Sequence, residues 1–208
     1  LDSNLSWNHL KNKAKIEKRF IETKNSINAL TLYAQPNFME VRSFVEKLVE
    51  RIKRERVFDR VLESVERDKV TWDKAARKLV GSVIKELYQE VFPEYDVKEN
   101  VSVEGEGMFK RPKRIFGSYG QFPDIRIEEP IRIAIELDHA KGGNVGSRYK
   151  MALAKASFNV LSGDWQYSIV LFHNHSGKSI SQYLSGEIEQ AILDFYETKL
   201  NTKVYLFE

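Results

Sequence analysis

Residues 122–143 read FPDIRIEEPIRIAIELDHAKGG, and the fold class turns on how this stretch divides into strands. Ile125 and Ile127 alternate with polar neighbours, Glu128-Glu129-Pro130 turns the chain, and Ile131, Ile133, Ile135 and Leu137 alternate again. Two short strands joined by so short a turn pair antiparallel. Strand side chains alternate between faces, so Ile133, Ile135 and Leu137 take one face while Glu136 and Asp138 project from the other. Asp124 precedes the first strand and enters the pair at the end where Glu136 and Asp138 leave it. Three carboxylates are therefore expected to converge.

Three anions in a partly buried site are costly unless a cation neutralises them. Oxygen-only ligands suit Mg²⁺ or Mn²⁺, and no organic cofactor is called for. Such an ion lowers the pKa of a bound water and polarises a phosphoryl oxygen. Lys141, three residues past Asp138, is the candidate for stabilising charge on a scissile phosphate or positioning the attacking water. The competing reading puts Glu136 and Asp138 on a solvated sheet face, paired with Lys141 and Arg126.

Working outward, Thr71 is placed to cap a helix carrying Ala76, Leu79, Val80, Val83, Ile84, Leu87 and Val91 on one side, which Pro93 ends. Residues 95–103 alternate and predict a strand, and a glycine-punctuated stretch to Phe122 reads as a long hairpin loop. Gly142-Gly143-Asn144 leads into a helix over 145–161. YSIVLF at 167–172 is a short buried strand, Ile188, Ile192 and Phe195 mark another helix, and 204–207 a last strand. The order from residue 71 is α-β-β-β-α-β, then α-β, which predicts a mixed sheet of α/β or α+β type. Before it, Val41, Phe44, Val45, Leu48, Val49 and Ile52 trace an amphipathic stripe, so one long helix or two abutting ones cover 38–67. A basic helix is expected over 5–33. Residues 1–70 are thus read as a helical region packed on a 71–208 core.

The chain has 208 residues, 42% of them apolar, a net charge of +3 and no cysteine. Disulfides, thiolate metal sites and cysteine nucleophiles are excluded, and a cytoplasmic setting fits. No run of about 18 apolar residues predicts a membrane span. The distribution of charge says more than its sum. Residues 108–114 hold Lys110, Arg111, Lys113 and Arg114 without an acid, and 139–163 hold Lys141, Arg148, Lys150 and Lys155 without one. These two basic stretches flank the acids and are candidate contacts to the phosphates of DNA.

Pro123-Asp124 followed by Glu136-X-Asp138, with Lys141 close by and an α-β-β-β-α-β order around them, resembles the PD-(D/E)XK nuclease superfamily. The resemblance covers about residues 71–173. It implies a restriction-endonuclease-like core and a metal-dependent DNA endonuclease, among which type II restriction enzymes and repair or junction nucleases are alternatives. It also implies that Asp124 and Glu136, with Asp138, bind Mg²⁺. The family's lysine, two residues after the second acid, is Asp138 here. Lys141 is the candidate substitute, and a second registration makes Asp138 the metal acid and Glu136 accessory. A glutamate on the first core helix often points to the site in this family, for which Glu86 and Glu90 are candidates. Cutting both strands implies a homodimer. The readings from other classes are a nucleic-acid-binding protein that keeps this fold without catalysis, and a protein-interaction module built on the 38–91 helices.

Three further strings carry less. His173-Asn174-His175 is consecutive, where an HNH nuclease needs its residues dispersed. Ser176-Gly177-Lys178-Ser179 lacks the first glycine of a phosphate loop, because position 172 is Phe. His139 follows Asp138 by one step and is expected on the opposite face.

Overall fold

The computed structural model describes residues 38–106, 114–115, 118–119 and 122–208. The basic helix expected over 5–33 lies outside them. Two compact units divide at 39/40, and all but the end of the first lies outside the described residues. The second, residues 40–208, is described below.

Helices α1 (Phe38–Arg54) and α2 (Val57–Asp68) are separated where Arg56 adopts a left-handed φ of 51°. Helix α3 (Trp72–Val91) starts where the Thr71 hydroxyl accepts the Lys74 N–H. Both α1 and α2 share one apolar core with α3: Phe44, Leu48, Ile52 and Val61 are buried together with Ile84, Leu87 and Tyr88. The compact unit therefore extends well upstream of residue 71.

The alternation at 95–103 does not produce one strand. Asp96 accepts the Lys98 N–H and caps a single helical turn, α4 (Val97–Asn100), leaving β1 as Val101–Val103. An Asx cap so near the start of the segment competes with the extended backbone that alternation favours. The loop that follows contains a small ribbon of β2 (Arg114–Ile115) and β3 (Ser118–Tyr119).

Strands β4 (Ile125–Ile127) and β5 (Ile133–Ala140) pair antiparallel with Ile125 opposite Ile135. Helix α5 (Val145–Leu161) crosses over to β6 (Tyr167–Asn174), parallel to β5. The short α6 (Ser181–Leu184) and then α7 (Glu187–Leu200) lead to β7 (Thr202–Phe207), parallel to β6. The five-stranded sheet runs β1-β4-β5-β6-β7, an antiparallel meander continued by two parallel strands. It is the mixed α/β architecture that the element order predicts.

Helices cover both faces, which is why β5 and β6 are buried almost throughout. Ile133, Ile135 and Leu137 join the core under α1–α3, each isoleucine contributing about 2 kcal/mol by removal from water. Ala140, Val170 and Phe172 face α5, where Ala152 and Ala156 let the helix lie close to the sheet. The Ile188, Ile192 and Phe195 side of α7 is exposed, so its periodicity marks the helix without marking core.

One contact sets how close α3 lies to the sheet. A Cβ at Gly81 would sit 2.9 Å from Val103 Cγ2, and Val103 is itself buried. Gly81→Ala is expected to cost about 1–3 kcal/mol in urea denaturation, although alanine favours the helix by up to about 1 kcal/mol. In a Val103→Ala background the cost should shrink or reverse. A Gly81→Ala chain more stable than wild type would show that α3 can move away from β1.

Candidate active site

Strand β4 starts opposite Ile135, so residues 136–140 of β5 run past the last rung the two strands share. Where that ladder stops, a side chain takes over: Asp124 Oδ2 accepts the Leu137 N–H at 2.8 Å. This bond brings Asp124 to Glu136 and Asp138. The three acids that the strand pattern places at one end are buried there, with exposures of 7%, 3% and 9%. A solvated sheet face is thereby excluded.

Glu136 carries the heaviest electrostatic load. Burial, and then the negative charge of Asp124, push its pKa up to about 7, against the opposing Asn159 hydrogen bond and Lys155 charge. Asn159 Nδ2 donates to Glu136 Oε1 at 2.9 Å and also contacts Ser168 Oγ at 3.3 Å. Burial likewise raises Asp138, opposed by the His139 N–H, which donates to Oδ1 at 2.8 Å, and by the charges of Lys155 and Arg148. Arg148, Lys155 and Asn159 lie at i, i+7 and i+11 on α5, one stripe of the helix. Lys155 is half-buried, while Arg148 and Lys150 are exposed.

The other basic candidates lie elsewhere. Lys141 is exposed just beyond β5, and its charge acts on His139 and His175. Lys110, Arg111 and Lys113 fall outside the described residues, and Arg114 begins β2. Glu86 and Glu90 do not turn to the acids: they accept from Arg51 of α1 at 3.0 and 2.7 Å. What α3 does send is Arg77, whose Nε donates to Asp124 Oδ1 at 2.7 Å and whose Nη2 pairs with Glu104 at 2.5 Å. Neither Arg77 nor Glu104 has a motif spacing to mark it. Asn159 had a signal: it continues the polar stripe of Arg148 and Lys155 on a helix face otherwise lined by alanines.

His139 points to the opposite face, as its parity predicts, and stacks on Trp72 with ring centroids 4.3 Å apart. Its Nδ1 lies 2.9 Å from His175 Nε2, and His175 stacks on His173, which in turn stacks on Phe58. Burial lowers the pKa of all three histidines, that of His173 to about 4.

The donor set is one of hard carboxylate oxygens, and a cation, the Arg77 guanidinium, already stands against it. The chemistry fits Mg²⁺ or Mn²⁺. Asp124 is already paired with that arginine, and among the described residues no three His, Asp or Glu side chains are grouped as around one ion. Comparison of the chain with family models, curated proteins and solved structures gives no match. Among the described residues, no helix is long and apolar enough to cross a membrane.

The raised Glu136 sets a pH dependence. At acidic pH the folded and unfolded chains both hold the proton. Between the ordinary value of 4.5 and about 7 only the unfolded chain releases it, so stability falls as pH rises through that window. About 3 kcal/mol is lost by the upper end. Glu136→Gln removes this titration. Its stability relative to wild type in urea denaturation should increase from about pH 4 to about pH 8, whereas a difference flat in pH would show that Glu136 is not the group titrating there.

Proposed function

We propose that the chain is a Mg²⁺- or Mn²⁺-dependent endonuclease that hydrolyses DNA phosphodiester bonds, with a core of the restriction-endonuclease type. The observation that carries this reading is the convergence of Asp124, Glu136 and Asp138, buried where β4 and β5 part, under a helix that presents Lys155 and Arg148. The α3-β1-β4-β5-α5-β6 order, with its meander and parallel crossover, supports the same reading. A type II restriction enzyme or a repair or junction nuclease is the class of protein it describes.

Asp124 and Glu136, with Asp138, would hold the ion, which when bound supplies Lewis acidity and an activated water. The protein's own contribution is positional. Asn159 fixes one Glu136 oxygen, and Leu137 N–H fixes one Asp124 oxygen, so neither carboxylate has to be ordered at the moment of reaction. Asp138 stands where the family has lysine, and Lys155 is the half-buried ammonium nearest in electrostatic effect to Glu136 and Asp138. Lys155 therefore takes over from Lys141 as the residue that stabilises charge on the phosphate. Arg148 and Lys150, exposed on the same helix, meet the flanking phosphates.

A second reading has its own observation. Asp138 in place of lysine, and an Asp124 already ion-paired, are what a nucleic-acid-binding protein without catalysis would show. Plasmid cleavage in Mg²⁺, Mn²⁺ and EDTA separates the two. Asp124→Asn and Glu136→Gln are expected to lose at least about 10²-fold in rate, and Lys155→Ala about 10²-fold, with DNA binding largely retained. Salt-sensitive binding without cutting in either metal would favour the inactive binder. Absence of both would leave the protein-interaction reading of the helical layer.

A further inference from the structure

Helix α7 carries apolar side chains on two sides. Leu193 packs against the cluster formed by α5 and β6, with Tyr196 and Leu200 half-buried along the same side. Ile188, Ile192 and Phe195 lie at i, i+4 and i+7 on another side, and they are 72%, 48% and 54% exposed. A single apolar side chain on a surface needs no explanation, but three in one helical row form a seam of the kind by which helices pair. Continued to i+11, the row ends on Lys199, which is exposed as well.

The charges on α7 are sorted along its axis. Glu187 and Glu189 stand in the first turn, flanking Ile188, and Lys199 stands in the last. The other two acids are out of the way: Asp194 lies about 200° around the helix from Ile192, and Glu197 pairs with Lys203 of its own chain. Four acids against one base make the helix a poor fit to an anionic membrane or to nucleic acid. A second copy of the same row fits it in one direction. Laid antiparallel about the midpoint between Ile192 and Phe195, Ile192 meets Phe195 of the second copy. Lys199, about 16 Å along the axis from Ile188, then reaches the acidic first turn of the second copy, and the reverse contact follows by symmetry. A parallel arrangement sets lysine against lysine and acids against acids.

We propose that the Ile188–Ile192–Phe195 row of α7 is a contact between two copies of this chain, in which the two helices pack antiparallel across a two-fold axis. The apolar row supplies the association, and Lys199 with Glu187 and Glu189 sets its direction. The contact stands on the surface of α7 alone and draws nothing from the acidic cluster.

The test is sedimentation velocity of the full chain from about 1 µM to about 100 µM, the range in which a small interface associates. Wild type should pass from monomer to dimer over that range, and Ile192→Ser/Phe195→Ser should stay monomeric with its melting temperature kept, since both side chains are exposed. Lys199→Glu and Glu187→Lys/Glu189→Lys should each weaken the dimer by at least about threefold. Mixed in equal amounts, these two charge variants should pair as well as wild type, because both ends of the contact are then again of opposite charge. A wild type that is monomeric throughout, or a dimer as tight in the serine variant as in wild type, would overturn the contact. A dimer that the serine variant loses but the charge variants keep, or a mixture that does not recover, would overturn the antiparallel arrangement. Flotation of a monomeric wild type with phosphatidylcholine vesicles, lost in the serine variant, would replace the second copy by a lipid surface.

Discussion

The hydrogen bond from Leu137 N–H to Asp124 organises the acidic end of the sheet. A β-ladder normally continues by backbone pairing, and an N–H left at the end of one must find another acceptor. Here the acceptor is a carboxylate on the residue just before β4. The substitution lets β4 stop at Ile125 while β5 runs on to Ala140, and it opens the sheet at that point. It also fixes the position of an anion next to Glu136. Loss of the Asp124 side chain would therefore act twice, on the strand end and on the charge cluster.

The consequences spread through β5 by parity. Odd-numbered residues from Ile133 to Leu137 enter the large core under α1–α3, and even-numbered ones face α5. A single strand thus separates an apolar layer, which holds the fold together, from a polar layer that holds the candidate site. The polar layer is only as wide as its small residues permit. Ala134, Ala140, Ala152 and Ala156 are all buried and leave room for Asn159 and the acids between sheet and helix. Gly142, at a φ of 85°, lets the chain leave β5 and turn into α5.

Elements with a strong period were legible in the sequence, because one side-chain property repeated over many residues outweighs any single contact. The facing of Glu136 and Asp138 and the apolar stripes of α1 and α3 are of this kind. Residues 95–103 were misread because one Asx cap decides a four-residue segment that periodicity treats as strand. Glu86 and Glu90 had the right element but the wrong azimuth, and Arg51 on a neighbouring helix claims them. Lys141 was close in sequence, but it is exposed past the strand end and acts on the histidine side. Arg77, Glu104 and Lys155 reach the site from three different elements. No local string encodes such a meeting, since it depends on the register of β1 against β4 and on how α3 and α5 lie across the sheet.

The end of β5 and its neighbour β6 carry titratable groups on both faces, and burial acts on the two sets in opposite senses. Carboxylates are pushed toward their protonated form and histidines toward their deprotonated form, so each set is driven toward neutrality. On the α5 side the negative charge is met by Arg77 at one edge and by Lys155 and Arg148 on the helix. On the α2–α3 side Trp72, Phe58 and the histidines stack on one another, while Trp72 Nε1 and His173 Nδ1 are buried without a hydrogen-bond partner among the described residues. The same low-dielectric interior thus yields a face of buried carboxylates and a face of stacked rings. The first gathers buried carboxylates beside basic side chains, and that gathering is the physical ground for proposing chemistry there.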